Sequence, residues 1–182
     1  MAMEFTANGV LAPADYEMTL DELRTSILVV GNGTSTSWDG AWRAKLVENL
    51  AVLVEQLWRV GITEIFVDGS FVEDKDHPGD IDGYFVCSLR DLASGELTTK
   101  LNLLDANKVW TWDPAQRRAY PGSPKKQLPM WIVYRVELYP HYGQLCGIPD
   151  KWGNELEFPS AFRQSRRDGR PKGIIKIVRR TP

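Results

Sequence analysis

Residues 67–85 read VDGSFVEDKDHPGDIDGYF. The stretch leaves an apolar run at Gly69-Ser70, crosses a polar loop and resumes with Asp80 and Asp82 on either side of Ile81. The preceding ITEIFVDGS, with its β-branched and aromatic content, predicts a short buried strand ending at Gly69, and DIDGYFVCSL predicts a second strand. Pro78-Gly79 marks the turn between them. In an extended segment residues two apart share a face, so Asp80 and Asp82 project together while Ile81 packs the other way. Paired carboxylates repel, and burying them raises the pKa of at least one unless a divalent cation lies between them. Asp-x-Asp at the head of a strand is therefore a candidate Mg²⁺ or Mn²⁺ site. Upstream, the missing Cβ of Gly69 lets an anion approach backbone N–H groups beside the Ser70 hydroxyl, which makes Gly69 and Ser70 candidate phosphate contacts.

A calcium loop is the competing reading of DKDHPGDIDG, and it fails on position. Counted from Asp74, the EF-hand pattern puts Pro78 and Phe85 where two side-chain oxygen ligands belong.

Working outward, DGAWRAKLVENLAVLVEQLWRV, residues 39–60, places Trp42, Leu46, Leu50, Leu53, Val54 and Leu57 at three- and four-residue intervals. That spacing predicts an amphipathic helix stopped by Gly61. TLDE at 19–22 matches a capping box opening a helix through about Leu28. DLASGELTTKLNLLD is a weaker helical segment, and 106–129, with prolines at 114, 121, 124 and 129, reads as loop. MWIVYRVELY, residues 130–139, is the strongest strand candidate by composition. Alternation along it sets Glu137, its only acid, on the face shared by Trp131, Val133, Arg135 and Tyr139. A carboxylate between Val136 and Leu138 needs a reason, and a buried ion pair with Arg135 or Arg163 is one. The final strand candidate is Gly173–Val178, behind a basic turn, RQSRRDGRPKG, which reads either as a solvated basic hairpin or as a source of phosphate contacts in Arg163, Arg167 and above all Lys172. The fold expected is α/β (α+β): a short mixed sheet carrying Asp80, Asp82 and Glu137, with the 39–60 helix packed behind it. Residues 1–182 are read as one domain, 1–18 as an N-terminal extension and 161–182 as a basic C-terminal turn and strand.

With 182 residues, 43% hydrophobic and 25% charged, the chain has the composition of a globular domain rather than a disordered one. A net charge of −2 gives no global signature of a nucleic-acid coat or a membrane-surface protein and leaves only local basic patches open. Two cysteines are too few for a disulfide framework, and no leader-like or membrane-spanning apolar run occurs, so a cytoplasmic protein with reduced thiols is expected. P-loop and Rossmann glycine patterns are absent. The tryptophans are expected to serve packing.

The order apolar residue, Gly-Ser, polar spacer, then acid, apolar, acid, apolar resembles the signature of the DNA polymerase β-like nucleotidyltransferase superfamily. Nine residues separate Ser70 from Asp80. Asp68 stands where that pattern has an apolar residue, and Gly83 stands where it has a larger one. The resemblance implies a nucleotidyltransferase-like fold, an NTP substrate, Mg²⁺ or Mn²⁺ held by Asp80, Asp82 and a third carboxylate from a later strand, for which Glu137 is preferred over its ion-pair reading, and transfer of a nucleoside monophosphate to a protein, RNA or small-molecule hydroxyl. EIFVDGSFVEDKDHPGDIDG with FRQSRRDGRPKGIIKI also resembles the DUF6932 family, from about Pro13 onward. That family is discussed beside minimal nucleotidyltransferases of toxin-antitoxin and defence loci, which implies a cognate toxin or antitoxin protein as a partner. Two other readings stay open: a catalytically inactive, antitoxin-type module of the same fold, and a nuclease using the same carboxylates.

Overall fold

The computed structural model describes residues 3–180, so residues 1, 2, 181 and 182 of the expected domain lie outside the described residues. Its elements run β1 (Asp15–Met18), α1 (Leu20–Thr25), α2 (Ile27–Val30), α3 (Gly40–Arg59), β2 (Ile65–Asp68), a 3-10 turn (Gly69–Val72) and β3 (Ile81–Val86). Then follow α4 (Leu89–Ala93), α5 (Glu96–Leu104), α6 (Pro129–Tyr134), β4 (Val136–His141), β5 (Leu145–Pro149), β6 (Glu155–Glu157), α7 (Phe158–Ala161) and β7 (Ile174–Ile177).

A five-stranded mixed sheet in the order β1-β7-β2-β3-β4 forms the centre. β1 is parallel to β7, β2 is antiparallel to both β7 and β3, and β3 is parallel to β4. Residues 15–18, assigned from sequence to an extension, therefore supply an edge strand. The capping box is present: the Thr19 hydroxyl accepts from the Glu22 N–H, and the Glu22 carboxylate accepts from the Thr19 N–H. Ser26 then caps a new turn, which splits the expected helix in two.

The period-two pattern divides the sheet into two unlike faces. Ile65 and Val67, Ile81 and Phe85, Val136 and Leu138, and Ile175 and Ile177 pack under the helices with Leu46, Leu50, Leu53 and Leu57 of α3, all sealed from solvent. Each such side chain contributes roughly 2 kcal/mol on burial. The opposite face is covered in part, by Ala161, Phe162 and the β5–β6 hairpin over Phe66, Tyr84 and Ile174. Helices thus lie mainly on one face, with the short α7 on the other.

The expected strand over 130–139 is corrected. Its first half is α6, and only from Val136 is it β4. Pro129 opens the helix, where a missing N–H costs nothing. Arg135 closes it in a left-handed conformation at φ 55°, its guanidinium over the rings of Trp131 and Tyr120. Burial of Met130 and Trp131 decides between helix and strand here, against the β-branched composition.

Candidate functional site

The carboxylates collect on the partly covered face. Asp68 pairs across the ladder with Asp82, and Asp82 with Glu137, so three adjacent strands present a continuous acidic row. Asp80 stands just ahead of β3, its Oδ2 accepting from the Trp131 indole N–H at 2.6 Å. Tyr139, two residues along β4 from Glu137, donates its hydroxyl to Glu137 Oε2 at 2.7 Å. Glu137 Oε1 is buried without a hydrogen bond, with Arg117 Nη1 3.7 Å away.

The Asp82 carboxyl is pushed up to about 7, first because burial disfavours its charge and then because Asp80 and Glu137 repel it, with Arg166 opposing. Burial pushes Asp68 up to about 6 against the pull of Lys172. The Lys172 ammonium lies 2.9 Å from Asp68 Oδ1 and 3.7 Å from Glu73 Oε1, its side chain only 4% exposed. Arg167 pairs with the other Glu73 oxygen at 3.2 Å.

Gly69, at φ +75°, lies directly over Asp82: a Cβ there would fall 2.6 Å from Asp82 Oδ2. The chain then turns through Ser70 along the wall of a cavity of about 430 Å³ whose lining includes Asp68, Gly69, Ser70, Asp82, Lys172, Arg166 and Arg167. The expected phosphate residues Gly69, Ser70, Lys172 and Arg167 thus meet Asp68 and Asp82 in one cavity, while Asp80 and Glu137 stand outside its lining. Arg163 does not join them. Its guanidinium is taken by Asp15 at 2.6 and 2.8 Å and by the Pro159 carbonyl at 2.7 Å, which ties β1 to the covered face.

Asp80, Asp82 and Glu137 fit a hard divalent cation in donor chemistry and in charge: all are carboxylates, their crowding raises Asp82, and Glu137 keeps a buried oxygen unpaired. Among the described residues no three such side chains have closed to the distances of an assembled metal cage.

Sequence reading missed Asp68, Arg166, Trp131 and Tyr139 as parts of the site. Asp68 had a signal, since antiparallel pairing of the two predicted strands brings the end of one beside the start of the other, where Asp82 lies. Tyr139 had one too, since strand alternation puts it on the face of Glu137, two residues away; Trp131 had none, because its contact with Asp80 depends on the helix that composition concealed.

The model of the family described as Family of unknown function (DUF6932) matches residues 3–178. The chain belongs to the DUF6932 family. No curated protein and no solved structure matches it. Among the described residues of this DUF6932 protein, no helix is long and apolar enough to cross a membrane.

Proposed function

We propose that this protein is a metal-dependent nucleotidyltransferase with a nucleotidyltransferase-like fold, moving a nucleoside monophosphate from an NTP to an acceptor hydroxyl. The observation that carries this reading is the acidic row in which Asp68 and Asp82 share one cavity with Gly69, Ser70 and Lys172, with Glu137 paired across the ladder to Asp82 and Asp80 just ahead of β3. Gly69 and Ser70 would receive the β- and γ-phosphates through backbone N–H groups and a hydroxyl. Lys172, Arg166 and Arg167 would balance their charge.

Asp80, Asp82 and Glu137 would hold Mg²⁺ or Mn²⁺, which when bound offsets negative charge on the carboxylates and on the transferring phosphoryl group. The acceptor oxygen attacks the α-phosphorus and releases its proton to water. The bond to the β-phosphate oxygen breaks, and pyrophosphate leaves. Lys172 is held by Asp68 and Glu73 before any substrate arrives, so its contact with a triphosphate requires sharing it with those carboxylates.

A second reading rests on the carboxylates that have not closed around a common point: a catalytically silent module that binds a partner protein, as an antitoxin does. Thermal unfolding with each NTP and Mg²⁺ or Mn²⁺ separates the two readings. A bound NTP at about 100 times its Kd adds close to 3 kcal/mol, and label from α-phosphate-labelled NTP then appears on an acceptor in lysate or total RNA. Asp80→Asn with Asp82→Asn is expected to abolish transfer in a folded protein. Absence of both stabilisation and label would leave the silent module standing, and cleavage of RNA or DNA without NTP would indicate a nuclease.

A further inference from the structure

The row of acids is bordered at its β4 end by a segment of opposite charge. Residues 114–136 contain Arg117, Arg118, Lys125, Lys126 and Arg135 and no Asp or Glu, in a chain whose net charge is −2. The fold concentrates this charge. Arg118 and Gln127 exchange backbone hydrogen bonds at 2.8 and 2.9 Å, which folds 118–127 into a hairpin with its tip near Gly122, at φ +81°. One arm begins with Arg117 and Arg118, and the other carries Lys125 and Lys126. Arg118, Lys125 and Lys126 are exposed and form no ion pair among the described residues.

The hairpin is joined to the site. Arg117 donates to the Lys126 carbonyl at 3.3 Å and reaches Glu137 Oε1 at 3.7 Å, and Glu137 is the cross-strand neighbour of Asp82 in the cavity. Tyr120, within the same hairpin, packs against Trp131, with Arg135 over its ring. Beside Arg118 opens a polar cavity of about 430 Å³ whose lining includes Asn107, Thr111 and Gln116.

We propose that this hairpin is a docking surface for the sugar–phosphate backbone of single-stranded nucleic acid, whose terminal hydroxyl enters the carboxylate row. Unpaired cations spaced over two arms neutralise successive phosphates and release their counterions. Amide and hydroxyl groups near Arg118 offer partners to a sugar or base edge. A single strand suits this surface because its free phosphates can follow separated cations while its unpaired base edges reach the polar groups beside Arg118. The docking surface stands on the charge layout alone, whereas the acceptor role rests on the transferase reading. In that role the terminal oxygen attacks the α-phosphorus, loses its proton to water, and the products are a strand longer by one nucleotide and pyrophosphate.

The test is fluorescence anisotropy of labelled single-stranded RNA and DNA oligonucleotides against wild type and the triple variant R118E/K125E/K126E over a series of salt concentrations. These positions are exposed, and unchanged thermal unfolding verifies the fold. The variant is expected to lose at least tenfold in affinity at low salt, and its log K against log salt slope to fall by about 2, near 0.7 for each cation lost. The surface is overturned if wild type fails to bind at low salt, if the variant binds with unchanged slope, or if a polyglutamate peptide of similar length binds wild type as tightly. Binding that depends on the three cations, without nucleotide addition to the strand or to any other acceptor, would sink the transferase reading and leave the docking surface in place.

Discussion

At Gly83 the backbone of β3 is pressed from both sides. A Cβ there would meet the Phe66 carbonyl oxygen at 2.4 Å and Leu138 Cδ2 at 2.7 Å. The first of these is backbone in the neighbouring strand and cannot turn aside, so Gly83→Ala must part β2 from β3 beside the Asp68–Asp82 pair. A loss of about 2 kcal/mol or more is expected, in the range of overpacked cores, measured as the shift in urea midpoint at constant m. The glycine that strays from the superfamily pattern is thus required by packing in this chain. Asp68, the other stray, is the buried partner of Lys172. Ser70, Asp80 and Asp82 were legible in the sequence because local spacing alone puts them on a turn and on one strand face. What Asp68 does was not legible, because its partner lies more than a hundred residues away and meets it only once β7 lies beside β2.

Among the elements, α3 was readable because its periodicity is long and unbroken, and the two core strands because β-branched and aromatic residues stand between turn signals; each formed close to where expected. The segment 129–134 was not, since a short run of apolar and β-branched residues fits helix and strand alike, and only the burial of Trp131 and the Arg135 stacking decide it. An element can also be held from outside itself. Arg43 of α3 is fully buried, and its guanidinium donates to the carbonyls of Leu28 and Phe71 at 2.7 Å, of Glu73 at 3.0 Å and of Lys75, with its plane 3.9 Å from the Trp38 ring centroid. Burial pulls it down to about 10, which leaves it charged at neutral pH. One side chain therefore fixes the loop that leads away from Ser70 and carries Glu73. Arg43→Met keeps the stem and removes the donors, stranding several carbonyls. A destabilisation of about 3 kcal/mol is expected, with amide exchange rising first over residues 71–76. Equal loss of protection across the whole sheet would instead show that the loop has no separate stability.

Over the whole molecule, the acidic row sets a pH dependence opposite to that of ordinary acid denaturation. Asp82 and Asp68 titrate near 7 and 6 in the folded chain and near 3.9 when unfolded. Between those values the native state holds protons that the unfolded state has released, so the stability these groups contribute is fully present below about pH 4 and is lost as pH rises to 7. Part of that loss comes from the repulsion of the Asp82 charge by Asp80 and Glu137, after the cost of its burial. Asp82→Asn removes that charge. The variant should match wild type near pH 4 and exceed it progressively up to about pH 8, by on the order of 4 kcal/mol. Thermal unfolding across that range measures the difference, and a constant offset between the curves would show that Asp82 is not the strained group. Mn²⁺ gives the same experiment a second arm. A cation that binds the charged carboxylates lowers their pKa and stabilises the native state, so added Mn²⁺ at pH 8 should raise wild type toward the variant while leaving Asp82→Asn nearly unmoved. If the two respond equally, the ion acts elsewhere on the surface and the row has another use for its charge.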